Sequence, residues 1–178
     1  VAIPCAAFAQ VTVFGDSIAR ECFETTKSMT ANPREGEKIC TRALQLEAMN
    51  YTNRAATYTN RGILRMRAGN YDDALKDYGL AKQIKNDLGE IYLNEGATYI
   101  YVKDYSKALT TLDKAIELQS SDVHAAYYNR AIAKEKLQDI QGAYYDFLKA
   151  LELQPDWKLA EWQVILCHVS DRRTYALA

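Results

Sequence analysis

The chain has 178 residues, with 22 basic side chains set against 23 acidic ones for a formal net charge of −1. That balance argues against the basic face needed to hold nucleic acid, and no apolar run approaches the roughly 18 residues of a membrane-spanning helix. Glycine and proline are scarce, at 8 and 3, so a single domain, nearly all helix with short turns, is expected.

Residues 1–10 stand apart from everything periodic. Ala7-Phe8-Ala9 followed by Gln10 has the form of the small-x-small end of a secretory signal. The segment is expected to be a signal remnant or a disordered tail, with residues 11–178 forming the domain. On that reading the protein is exported, periplasmic or secreted; the alternative is an ordinary Ala-rich tail and a cytoplasmic setting. A helix is expected from Asp16 to Ser28, capped by Asp16 or Ser17 and turning Ile18, Cys22 and Phe23 inward. Gly15-Asp16-Ser17 resembles the nucleophile block of some esterases, but with no strand before it and no histidine block it reads as a helix cap. A polar loop through Asn32-Pro33-Arg34 leads to a second helix, Gly36 to Ala48, with Ile39, Cys40, Ala43 and Leu44 apolar.

Beyond residue 50 the chain repeats itself. Thr59-Asn60-Arg61-Gly62, Leu93-Asn94-Glu95-Gly96 and Tyr128-Asn129-Arg130-Ala131 recur at spacings of 34 and 35 residues. Each is followed at fixed offsets by Tyr71, Tyr105 or Ile140, then Ala74, Ala108 or Ala143, then Tyr78, Leu112 or Phe147, then Ala81, Ala115 or Ala150. Alanines seven apart share one helix face. A large side chain between them fills the gap in front of Gly62, Gly96 or Ala131, where the partner backbone is expected to approach closely. No such unit buries its apolar stripe alone, so neighbours must stack. Helix pairs are expected near 53–68 and 71–84, 88–102 and 105–118, and 123–137 and 140–153, with Asn70, Asp104, Asp122 and Asp139 as caps. Most of the thirteen tyrosines are expected at positions where a helix pair takes a large flat side chain. Pro155 stops the last pair. A final helix near 156–169 is expected to cover it with Trp157, Leu159, Trp162, Ile165 and Leu166, and the tail beyond Ser170 to fray.

This pattern resembles the tetratricopeptide repeat (TPR) family over a little more than half of the chain. The resemblance implies an all-α, right-handed helical solenoid of antiparallel helix pairs with a C-terminal capping helix. Its repeats fall at 55–88, 89–122 and 124–157, and the capping helix at 156–170. Aligning Ala19 with Gly62 and Ala43 with Ala81 makes 16–50 a degenerate first repeat, whose inter-helix loop is about five residues longer. The alignment also places Cys22 and Cys40 on positions that pack together in the TPR fold, where a disulfide fits; two buried free thiols in a reduced protein are the alternative. Cys5 falls in the N-terminal segment, and Cys167 reads as a buried thiol. Neither His124 nor His168 has a partner at ligand spacing, so no metal is expected. No catalytic set or phosphate loop is discernible, so neither catalysis nor a cofactor is expected.

In the family, the first helices of successive units line a concave groove. Carried over, that face takes Thr59, Asn60, Ile63, Met66 and Arg67 from the first unit. The second supplies Glu90, Leu93, Asn94, Ala97, Ile100 and Tyr101, and the third Tyr128, Asn129, Ile132, Glu135 and Lys136. Asn60, Asn94 and Asn129 are conspicuous, because asparagine is a mediocre residue inside a helix. A carboxamide offers both a donor and an acceptor, the complement of a peptide backbone. The row is similar to the asparagine ladder of O-GlcNAc transferase TPRs; the alternative is that these asparagines bridge adjacent helices. The carboxylate clamp of chaperone-binding TPRs matches poorly, since Thr59 and Ile63 stand where it needs Lys and Asn. The function implied is a non-catalytic module that binds an extended protein or peptide segment, in a chain that resembles the small exported TPR proteins of alphaproteobacteria. The alternatives are an intracellular scaffold or regulatory domain of a larger protein, and a self-associating TPR through the last helix.

Overall fold

The computed structural model describes residues 7–12 and 17–175, with side chains of the last helix described through residue 167. Cys5, Asp16, the His168 side chain and residues 176–178 lie outside the described residues. The described chain forms nine helices and no strand. They are α1 (Ile18–Lys27), α2 (Pro33–Leu46), α3 (Tyr51–Arg67), α4 (Tyr71–Ile84), α5 (Gly89–Tyr101), α6 (Tyr105–Glu117), α7 (Val123–Lys136), α8 (Ile140–Leu153) and α9 (Lys158–Tyr175). Each helix packs on the next in sequence, and α1, α3, α5 and α7 also touch in succession, so the odd-numbered helices line one side of the stack.

The helix ends follow local chemistry more closely than periodicity does. Ser17 caps α1 by accepting from the Arg20 N–H. Asn32 and Pro33, expected in a loop, instead start α2: Asn32 caps it and Pro33 occupies its first turn, where a missing N–H costs nothing. The α1–α2 loop, 28–32, is therefore only two residues longer than the α3–α4 loop, 68–70, because α1 takes up the rest of the insertion. Asp104 and Asp139 cap as expected, accepting from Lys107 and Gly142. Asn70 and Asp122 make no side-chain cap bond. Past Ser170, where fraying was expected, α9 continues to Tyr175.

The turns inside the three units share one geometry. Gly69, Lys103 and Gln138 all take positive φ, at 82°, 64° and 68°, and the following N–H reaches back to Arg65, Tyr99 and Lys134 carbonyls at 2.8–2.9 Å. Only the first unit uses glycine for this left-handed closure.

Small residues do face large ones, but not as backbone contacts. A Cβ on Gly62 would lie 2.5 Å from the Tyr78 ring, and one on Gly96 2.6 Å from Leu112 Cγ. The close backbone approach occurs at Gly89 instead, where a Cβ would lie 2.8 Å from Ser120 Cα. Tyr78, Leu112 and Phe147 are fully buried, with the paired alanines beside them. The tyrosines divide: Tyr78 and Tyr128 are buried, whereas Tyr51 and Tyr145 are exposed.

Beside this apolar core run buried ion pairs. Asp77 on α4 receives a forked bond from Arg61 and a further one from Arg65. Asp146 on α8 receives the same fork from Arg130, plus Lys134. The middle unit inverts the polarity, with Glu95 held by Lys82 of α4.

Candidate functional site

Asn60, Asn94 and Asn129 occur one per unit on α3, α5 and α7, and all are fully buried. They form a row, and residues 7–11 of the same chain lie along it. The Asn129 Oδ1 accepts from the Ala7 N–H at 3.0 Å, and its Nδ2 donates to the Ala7 carbonyl at 2.8 Å. Asn94 does the same with Ala9, at 3.2 and 2.6 Å. Asn60 does the same with Val11, at 3.2 and 2.9 Å. Each carboxamide thus pairs with both polar groups of one residue and skips the next. That is the alternation of an extended chain, in which two residues advance about 6.6 Å. The segment runs from the third unit to the first, opposite to the order of the repeats.

The row is itself held in place. The second Nδ2 proton of Asn94 goes to the Glu90 carbonyl one turn back, at 2.8 Å, which fixes the side chain's direction. Side chains of the segment are sorted by the same alternation. Ala9 and Val11 are buried, with Val11 packed among Ala19, Phe23, Ala43 and Ala56. Phe8 faces elsewhere and stacks on Tyr101 at 6.2 Å between ring centres, and Tyr101 stacks on Tyr71 at 5.7 Å. Phe8, Met29, Ala31, Pro33, Met66, Arg67, Tyr71 and Tyr101 line a cleft of about 400 Å³.

The other residues expected in the groove take several roles. Met66, Arg67 and Tyr101 line the Phe8 cleft. Ile63, Leu93, Ile100 and Tyr128 are fully buried. Tyr128 meets Phe147 and Trp157, at 5.4 and 4.5 Å between rings, so it packs the end of the stack. It precedes Asn129 by one residue, which turns it about 100° round the helix. The charged members are spoken for within the chain. Arg67 donates to the Thr26 carbonyl at 2.6 Å, Glu90 accepts from the Ser121 N–H at 2.8 Å, and Lys136 lies 3.3 Å from Glu135. Burial holds the Arg67 guanidinium below its ordinary pKa, and its Nε has no hydrogen-bond partner.

Cys22 and Cys40 are bonded, with Cα atoms 4.8 Å apart, and lie against Leu64 and Ile39. Cys167 is free and buried, and desolvation pushes its thiol up to about 11. Among the described residues no group of three or more His, Cys, Asp or Glu is placed to hold a metal ion. No described helix is long and apolar enough to cross a membrane.

The tetratricopeptide repeat family model matches residues 89–122 and 124–156. Two of the units are therefore tetratricopeptide repeats. The chain is 33% identical over 86 residues to human sperm-associated antigen 1, a match covering 48% of this chain and 9% of that protein. It spans about a tenth of the length of the curated relatives it matches. Among solved structures, the first TPR of Spaghetti (RPAP3), bound to the HSP90 peptide SRMEEVD, aligns with 65% of this chain and 91% of its own at TM-score 0.62 and 22% identity. MamA from Desulfovibrio magneticus aligns more fully, over 90% and 88%, at TM-score 0.70 and 17% identity. At those identities the likeness is one of fold, and the fold is a TPR solenoid.

Residues 7–11 are what the sequence reading of the groove missed. Small or β-branched residues at 7, 9 and 11 match three asparagines one repeat apart, and that correspondence was the available signal.

Proposed function

We propose that this protein is a non-catalytic interaction module whose asparagine row binds an extended protein segment through its main chain. One observation carries the reading: three asparagines, a repeat apart, each exchange two hydrogen bonds with alternate residues of an extended segment. Main-chain recognition leaves side-chain choice to the surroundings, and these are mostly apolar. The peptide held by the first TPR of Spaghetti, SRMEEVD, is acidic; here Arg67 and Lys136 are engaged within the chain, so the ligand chemistry differs. The Cys22–Cys40 bond supports an oxidising compartment, and with it the exported setting of the small alphaproteobacterial TPR proteins.

The test uses the full chain carrying Ala9→Arg, since an arginine cannot occupy a fully buried alanine position and the segment must leave. A labelled peptide of residues 7–11 added in trans should bind this variant. Adding Asn94→Ala removes two neutral bonds, each contributing about 0.5–1.5 kcal/mol, so affinity should fall roughly 5- to 150-fold. If Ala9→Arg/Asn94→Ala binds the peptide as tightly as Ala9→Arg alone, the ladder is not the binding device.

A second reading has its own observation. Leu159, Trp162, Ile165 and Leu166 on α9 are 38–64% exposed, and a second copy meeting this face would cover them. Solution mass that rises with protein concentration and is fixed by Trp162→Gln supports it; a constant monomer mass removes it.

A further inference from the structure

Resting on the groove reading, we infer that the groove selects an aromatic side chain beside the ladder, and that the chain's own residues 7–11 compete for it. The preferred partner is an extended segment patterned small–aromatic–small–any–aliphatic, running opposite to the repeats.

The segment in the groove supplies the pattern. Ala7 and Ala9 lie directly on Asn129 and Asn94, and Ala9 is fully buried, so that place has no room for a larger group. Val11 fills a small apolar recess at α1–α3. Phe8, on the opposite side of the extended backbone, enters the cleft walled by Met66, Tyr71 and Tyr101. Two stacked tyrosines make one face of that cleft, and offset aromatic stacking is favoured there. Gln10, on the same side of the backbone as Phe8, is half-buried. The cleft is open beside the ring, and Arg67, which also lines it, keeps a buried Nε–H without a partner. A side chain larger than Phe8 would extend into that space along Met66 and the tyrosines.

Competition follows from connectivity. A tethered segment has a high effective concentration, in the millimolar range for short links, so a partner in trans must be tighter or more abundant than the tethered copy is favoured. The groove is thus closed to weak partners and open to those matching the aromatic place better than Phe8.

Fluorescence anisotropy on full-length protein separates the claims. The labelled peptide Ala-Phe-Ala-Gln-Val should bind Ala9→Arg at least about tenfold more tightly than wild type, because the tethered copy has been removed. Against Ala9→Arg, the peptide with alanine for phenylalanine should lose at least about tenfold, the effect of burying one aromatic side chain. Moving phenylalanine to the third position should abolish binding. Tyr101→Ala in the same background should weaken the phenylalanine peptide and leave the alanine peptide unchanged, a coupling that a merely loosened groove would not produce. Equal binding by wild type and Ala9→Arg overturns the competition. Equal binding of the phenylalanine and alanine peptides overturns the aromatic subsite while leaving main-chain binding intact. Failure of every peptide to bind a folded Ala9→Arg overturns the groove reading itself. Should Ala9→Arg not fold, the wild-type protein still decides: excess phenylalanine peptide must displace the tethered segment and sharpen the Ala7 and Ala9 amide signals, and an unchanged spectrum overturns the proposal.

Discussion

The two ends of the stack are closed by different means. At the N-terminal end, α1 and α2 are joined by Cys22–Cys40, and their inner faces, Ala19, Phe23, Ala43 and Leu44, are buried. At the other end α9 rests on the last pair through Ala160, Val164 and Cys167, with Trp157 against Tyr128. Its large residues Leu159, Trp162, Ile165 and Leu166 point outward. A degenerate repeat with a lengthened loop is thus secured covalently, whereas the terminal helix uses small residues for close approach and leaves its bulky ones uncovered.

The largest expected effect lies at the first end. Reducing Cys22–Cys40 reopens a loop of 18 residues in sequence separation, which the chain-entropy model puts at roughly 3 kcal/mol. Calorimetry with and without reductant should record a lowered melting temperature. An unchanged melting temperature would mean that α1 and α2 are held as firmly by packing, and that the two ends do not differ.

At the other end, Ala160→Leu forces extra volume into a fully buried contact and should destabilise by about 1–3 kcal/mol. Loosened α9 would expose Cys167, whose thiol is held near 11 by desolvation. At pH 8 native Cys167 is almost wholly protonated, so alkylation should be slow in wild type and faster in Ala160→Leu. Equal, rapid labelling of both would show that α9 does not shelter it.

Between the ends, Lys103→Gly relieves a left-handed residue at φ 64° and should stabilise by up to about 1 kcal/mol; a loss in chemical denaturation would mean that the lysine stem packs. The smallest effect belongs to Trp162→Gln. The ring is 64% exposed, so stability should stay within about 0.5 kcal/mol unless the protein self-associates through α9.

The regular units were legible because repetition restates the same packing three times: Gly62, Gly96 and Ala131 each oppose one large residue. The Cys22–Cys40 pair followed from register once the first repeat was aligned. The face of α9 was not legible, since no neighbouring repeat constrains it; counting large apolar residues selected Trp162 and Leu166, while close helix approach selected Ala160 and Cys167. The row of asparagines was visible, but its occupant was not. Ala7-Phe8-Ala9 has two physical readings, a cleavage site and an extended segment with small residues at alternate places, and only the first was drawn from the sequence.

The hydrogen bonds between residues 7–11 and the row are most directly tested by amide exchange on the uniformly labelled full chain. With Ala7, Ala9 and Val11 donating to Asn129, Asn94 and Asn60, those three amides should exchange slowly while Phe8 and Gln10 exchange fast. Asn94→Ala should release Ala9 first. Uniformly fast exchange across all five, in protein whose helices remain protected, would contradict the ladder.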